Sequence, residues 1–210
     1  MAMSDQRIGF VGVGLMGHGM AANILQAGND LTVIAHKNRE PVDDLVSRGA
    51  HEASDLQEMA GRADTIILCV TSTPVVEQVI AELKPHLRPG HLVIDTSTSK
   101  PESTIRLAEE LQADGIALAD APLTGGAQQA AEGVLGAMVG ASPEMFNRVE
   151  SAISPFCREV IHFGPPGAGH RAKLINNYLV MAMMVAITVM TISAVDAALM
   201  SGDTPRLTKE

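Results

Sequence analysis

Aromatic side chains are nearly missing from this 210-residue chain, which has no Trp, one Tyr and four Phe. A surface that stacks single-stranded bases needs such rings, so that class of function is disfavoured. Positive charge is short as well. Fifteen Lys and Arg stand against 24 Asp and Glu, a formal net charge of −9. That is the wrong sign for a nucleic-acid partner; a small anionic substrate stays open through a local basic pocket. Two cysteines, Cys69 and Cys157, make no disulfide framework, and no secretory pattern opens the chain. The expected setting is a reducing cytoplasm. Hydrophobic residues make up 46% and charged ones 19%, which excludes intrinsic disorder. The length allows one full domain and at most a small second piece.

What is present is a regular alternation. Short Val-, Ile- and Leu-rich runs at 7–14, 31–36, 65–70, 91–97, 116–122, 134–141 and 159–164 read as strands. Their continuous apolar character is that of strands covered on both faces, as in a parallel sheet. Helices are expected between them at 16–27, 41–48, 74–83, 101–112 and 143–154. Thr73, Ser99 and Ser142 stand at or just ahead of a Pro, as capping hydroxyls before a helix start. The pattern predicts an α/β doubly wound domain. From His170 to Met200 there is neither Gly nor Pro, so one helix of about 33 residues, roughly 50 Å, is expected from 168 to 200. Its run 179–195 is almost wholly apolar. A membrane span and a core helix covered by a partner both fit that length. Thr188, Thr191 and Ser193, and the lack of a basic cluster after the run, favour the second, with no membrane. Domains are expected at 1–165 and 166–201, with a polar tail at 202–210.

Gly12-Val13-Gly14-Leu15-Met16-Gly17 is a G-x-G-x-x-G between a strand and a helix. In that setting Gly12 makes the turn, Gly14 lets a pyrophosphate approach, and Gly17 lets helix and strand pack, with the helix N-terminus facing the phosphates. A purely structural glycine turn is the alternative. No acid follows the second strand; His36-Lys37-Asn38-Arg39 stands there. Such a cationic loop suits a 2′-phosphate, so NADP(H) is favoured over NAD(H); a plain solvated loop is the alternative. Asp95-Thr96-Ser97-Thr98 ends the fourth candidate strand, where hydroxyls reach a ligand or cap a helix. Thr124-Gly125-Gly126 forms either a carboxylate nest or a plain turn. Lys173, Asn176 and Asn177 share one face of the last helix. Burying an amine and two amides is costly without partners, so the set reads as a site or a satisfied core network. A partly desolvated lysine has its pKa pushed toward the range useful for proton transfer. His170 either tunes that lysine or packs.

GVGLMG with Met20, DTSTS, DAPLTGG and G-x-G-x-x-x-K-x-x-N-N, in this order and spacing, resemble the β-hydroxyacid dehydrogenases, over roughly residues 6–200. The resemblance implies a Rossmann-type doubly wound sheet followed by a long C-terminal interdomain helix. It implies hydride transfer between a nicotinamide and a small anionic 3-hydroxy acid or its semialdehyde. Lys173 is then the proton donor and acceptor and Asn177 the residue that orients substrate. Ser97, Thr124, Gly125, Gly126 and Asn176 bind substrate. Gly12, Gly14, Leu15, Met16, Gly17, His36, Lys37, Arg39, Val70, Thr71 and Thr98 line the cofactor, and no metal is needed. Thr124 replaces the usual Ser, Gln129 stands near a usual Gly, and the loop at 36–39 is about one residue longer. Family members run ~80 residues further, into a helical bundle of ordinary domain size. The alternative reading is therefore a catalytically impaired nucleotide-binding or scaffold protein. A homodimer or larger assembly through the last helix is expected.

Overall fold

The computed structural model describes residues 6–201. They fall into two units, one running to Lys173 and one beginning at Leu174. The first alternates strand and helix: β1 (Arg7–Val11), α1 (Gly17–Gln26), β2 (Asp30–Ile34), α2 (Glu40–Ser47), β3 (His51–Ala53), α3 (Leu56–Arg62), β4 (Thr65–Leu68), α4 (Thr73–Leu83), β5 (Leu92–Asp95), α5 (Pro101–Gln112), β6 (Ala117–Asp120), β7 (Leu123–Thr124), α6 (Ala127–Glu132), β8 (Leu135–Gly140), α7 (Pro143–Ile153) and β9 (Cys157–Gly164). The last helix, α8 (Ala168–Ser201), starts in the first unit and forms the second.

The strands lie in the order β3-β2-β1-β4-β5-β6-β8-β7, with β9 beside β8. From β3 to β6 every pairing is parallel. The direction of winding reverses at β1, which has β2 on one side and β4 on the other. Ligands in open α/β sheets bind outside the carboxyl ends of the strands at such a point. The core is two layers, one on each face. Ile8, Phe10, Ile67, Leu92 and Ile94 pack against α1, α2 and α7. Val11, Ile66, Leu68 and Val93 pack against α3, α4 and α5. Alternate residues of one strand serve opposite faces, which is why these strands read as unbroken apolar runs.

The parallel expectation stops at β8, which runs antiparallel to β6 and β7 and parallel to β9. Most of β9 is not buried, Ile161 and Phe163 are exposed, and β9 has β8 as its one partner among the described strands. All the anticipated strands but β9 are shorter than the apolar runs suggest, since residues such as Ser97 and Pro122 belong to the loops at the strand ends; β9 begins two residues earlier than expected. Two strands and two helices were not anticipated: β3, α3, β7 and α6. The capping hydroxyls are a further correction. None of the helices with Pro74, Pro101 or Pro143 in the first turn has a side-chain cap, and Thr73 is itself the first residue of α4. A proline near the start removes one N–H that would need a cap. The hydroxyls are used elsewhere: Ser99 Oγ donates to Asp95 Oδ2 at 2.8 Å, and Thr73 Oγ1 accepts from the Lys100 N–H at 3.0 Å.

In the second unit, large apolar side chains from Leu174 to Val195 are exposed on every face of α8. Thr188 and Thr191 do not break the helix, because each hydroxyl donates at 2.8 Å to the carbonyl four residues back, Met184 and Ile187. On length and composition alone α8 is able to cross a membrane. The expected polar tail, 202–210, lies outside the described residues.

Candidate functional site

The glycine turn sits at the carboxyl end of β1. Gly12 has φ +102°, a left-handed conformation that favours glycine, and a Cβ there would strike the Cys69 carbonyl. A Cβ on Gly17 would strike the Gly12 carbonyl and press on the Phe10 ring. Gly14 is different, with open space where a side chain would stand. Gly14 N–H donates to the Gly12 carbonyl at 2.8 Å, while the N–H groups of Leu15 and Met16 bond to nothing else in the described chain. Leu15 is 86% exposed. Open space, unpaired amides and the positive end of α1 meet at one spot. These residues fit the diphosphate of a dinucleotide.

The loop after β2 sorts its cations. His36, Lys37 and Arg39 are all exposed. Arg39 is already engaged: it donates to Glu52 through two nitrogens, at 2.9 and 3.0 Å, and to Asp43 at 3.0 Å. Those two acids raise its pKa. Lys37 has no ion pair among the described residues.

Beyond β4 and β5 the strand ends converge. Val70 is half-buried and Thr71 exposed. The Val70 N–H donates to Ser97 Oγ at 3.0 Å. Ser97 is buried, and its own N–H donates to Asp95 Oδ1 at 2.9 Å. It is thus tied into the scaffold, whereas Thr98 next to it is exposed. At the end of β7, Thr124 is half-buried and Gly125 next to it is exposed. Thr124 Oγ1 lies 3.4 Å from the Gly136 carbonyl, a long bond that leaves the hydroxyl adaptable. The Gly126 N–H already donates to Gln129 Oε1 at 2.9 Å. Gln129, noted in the sequence only as a departure, thus fills one donor of the nest.

The start of α8 is tied to the sheet and to α5 by buried hydrogen bonds. Asp120, fully buried at the carboxyl end of β6, accepts from the Gly167 N–H through Oδ1 and from the His170 N–H through Oδ2, both at 2.6 Å. Burial pushes the Asp120 carboxyl up, while the His170 ring and these amides pull it down. His170 is also fully buried; its Nε2 bonds to the Ser97 carbonyl at 3.1 Å and its Nδ1 to Thr104 Oγ1 at 2.8 Å. A carbonyl only accepts, so Nε2 carries a proton. His170 therefore packs and ties. Lys173, one turn further, is half-buried, and burial pushes its pKa down. Asn176 and Asn177, in the second unit, follow Lys173 by three and four residues and share its face of α8; the first is half-buried and the second exposed. Asp120 is the first residue of the DAPLTGG segment. Its signal was an acid inside an apolar strand, where a buried charge demands partners.

Residues 7–164 match the NAD binding domain of 6-phosphogluconate dehydrogenase. The chain belongs to this family. It is 35% identical over 183 residues to the NAD-dependent L-serine dehydrogenase of Pseudomonas aeruginosa, covering 86% of this chain and 61% of that protein. It is 35% identical over 179 residues to the 3-sulfolactaldehyde reductase of Escherichia coli, covering 84% and 60%. The structure of Mycobacterium tuberculosis 3-hydroxyisobutyrate dehydrogenase with L-serine is similar at a TM-score of 0.87 and 27% identity, over 96% of this chain and 68% of that one. The chain spans about 60% of the length of the curated relatives it matches. As a domain of the 6-phosphogluconate dehydrogenase type, it has the doubly wound sheet and glycine turn expected from its sequence, followed by one long helix.

Proposed function

We propose that this chain carries the cofactor site and part of the substrate site of a nicotinamide-dependent oxidoreductase. Its substrate is a small 3-hydroxy acid or the matching semialdehyde, and Lys173 is the general acid and base. One observation carries the reading. A half-buried amine stands on a helix whose start is tied to the ends of β5 and β6, on the ligand-binding side of the sheet.

A bound nicotinamide supplies or accepts a hydride. The chain's own residues do the rest. The amides at Leu15 and Met16 hold the diphosphate, with Gly17 packing the helix close. Val70, Thr71 and Thr98 border the cofactor. Lys37 and His36 meet the 2′-phosphate and favour NADP(H) over NAD(H); Arg39 joins only by leaving Glu52 and Asp43. The Thr124 hydroxyl and the Gly125 amide take the substrate carboxylate, and Gly126 contributes once Gln129 releases it. Ser97 orients the substrate. Lys173 donates a proton to the carbonyl oxygen on reduction and takes it back on oxidation, and its positive charge stabilises the oxygen as it turns negative.

Lys173→Ala should lower semialdehyde reduction by about 10²- to 10⁴-fold and leave cofactor affinity unchanged. Near-normal turnover in that variant removes the lysine from the mechanism. Reduction needs the protonated amine, so its rate should fall as pH rises through the Lys173 pKa. Burial sets that limb below the ordinary lysine range.

A further inference from the structure

We propose that Asp120, together with His170, is a positioning device for Lys173: the buried carboxylate and the buried ring seat the first turn of α8 and so fix where the amine stands. This rests on the acid–base role proposed for Lys173 and names the residues through which that role is set.

The geometry is that of a socket. Asp120 accepts the two N–H groups, from Gly167 and His170, that open α8, both at 2.6 Å. An acid at a helix N-terminus also complements its dipole. The second anchor is the His170 ring, held between the Ser97 carbonyl behind β5 and the Thr104 hydroxyl of α5. The wall is the backbone of β8 together with the Asp120 carboxyl. A Cβ on Gly169 would strike the Met138 carbonyl, and one on Gly140 would strike Asp120. The helix start is therefore pressed against β8 with no side chain between them. No buried side-chain polar atom among the described residues lacks a partner, so the network is complete as it stands. The ionisable groups of the socket are Asp95, Asp120 and His170. His170 Nε2 is 3.7 Å from Asp95 Oδ2, and His170 Nδ1 is 3.6 Å from Asp120 Oδ2. All three are buried. A ligand therefore does not need to touch them for them to matter. Lys173 sits one turn above, where a small tilt of the first turn would displace its amine. Misplacing a catalytic group by about 1 Å costs up to about a hundredfold in rate.

The test is Asp120→Asn in the full chain, which keeps the shape but replaces one accepting oxygen by an NH₂ group. The first readout needs no turnover: competitive acetic anhydride labelling of the lysines across pH. In the unaltered chain Lys173 should titrate below the ordinary lysine range. In Asp120→Asn the loosened turn lets water reach the amine, and its titration should move up toward that range. A folded Asp120→Asn chain in which Lys173 titrates as before overturns the proposal. The second readout is a kinetic cycle with Lys173→Ala. Asp120→Asn should lower turnover about ten- to a hundredfold in the unaltered chain and less than about twofold once Lys173 is gone. An equal loss in both backgrounds marks a general structural role and also overturns it. The acid–base reading fails separately, if Lys173→Ala alone turns over normally. Should Asp120→Asn not fold, Thr104→Val takes its place: it removes the bond to the His170 ring and keeps the carboxylate. The same shift in Lys173 labelling is expected there, smaller in size, and an unmoved Lys173 refutes the positioning role.

Discussion

Two helices in this molecule begin at or just after a G-x-G, and they use it for opposite purposes. At α1 the glycines leave room: nothing lies where a Gly14 side chain would be, and the amides of Leu15 and Met16 are unpaired. At α8 the glycines remove room: a Gly169 side chain would collide with backbone, and the opening amides are taken by Asp120. One helix start offers its positive end to a ligand. The other has its positive end neutralised by a carboxylate of the protein itself. The same two letters thus mark a place for a guest and a place for a neighbour. What separates them is whether a buried acid lies under the turn.

The largest test of this contrast is a pair of alanines. Gly169→Ala forces a methyl into the Met138 carbonyl, and should destabilise by about 3 kcal/mol or more through overpacking against backbone. Gly14→Ala meets open space, and should stay within about 0.5 kcal/mol of the parent in stability while weakening dinucleotide binding. Urea unfolding midpoints and cofactor titrations on both variants read the two effects. Equal stability losses would break the comparison.

A smaller effect lies in the loop that serves the α1 site. Lys37→Ala should weaken NADP(H) binding about tenfold, the worth of a charge-assisted hydrogen bond, and leave NAD(H) binding unchanged. Arg39→Ala should alter that ratio less, because its guanidinium is shared between Glu52 and Asp43. Parallel titrations with the two cofactors decide between the two residues. A larger loss of selectivity at Arg39 would mean that it abandons both acids when the cofactor binds.

The sequence carried the α1 site more plainly than the α8 site, and the reason is physical. A phosphate-binding turn is local: three glycines, a strand before and a helix after all lie within about twenty residues. The socket of α8 is built from Asp95, Ser97, Thr104, Asp120, Gly140 and His170, contributed by four separate stretches of chain. Nothing in a one-dimensional spacing joins them. Arg39 failed to stay free for a related reason, since Glu52 on β3 is thirteen residues away and β3 was not foreseen. The strand is three residues long and only partly buried, so it has no apolar run to announce it. The unforeseen α3 did have a local signal. Asp55 followed by Glu58 is the spacing of a reciprocal cap, and it lacks only the long apolar face that draws the eye. The hydroxyls credited with capping show the opposite error. Ser99 has the right letter at the right place, but the buried Asp95 competes for it and wins.

That exposed cap on α3 gives the smallest test and also sharpens the comparison, because it is the solvent-facing counterpart of the Asp120 seat. Asp55 accepts from the Glu58 N–H at 2.7 Å, and Glu58 accepts from the Ser54 N–H at 2.9 Å and from the His51 ring at 2.9 Å. Asp55→Ala should cost about 1 kcal/mol, less than the loss of the buried seat. The two carboxylates should also respond to acid with opposite signs. The Ser54 backbone N–H, then the His51 ring and the Ser54 hydroxyl, hold Glu58 at a pKa of about 2 against 4.5 unpaired. Its folded value is depressed, so its contribution to stability is present above pH 4.5 and is lost as pH falls toward 2. Burial raises Asp120, so its contribution runs the other way: present at low pH, and lost as pH rises through its folded value. Unfolding midpoints measured from pH 6 down to pH 3 should therefore converge for Glu58→Gln and its parent as acid is added. Asp120→Asn should diverge from its parent over the same range. Parallel slopes for the two variants would show that burial does not separate these two ways of closing a helix start.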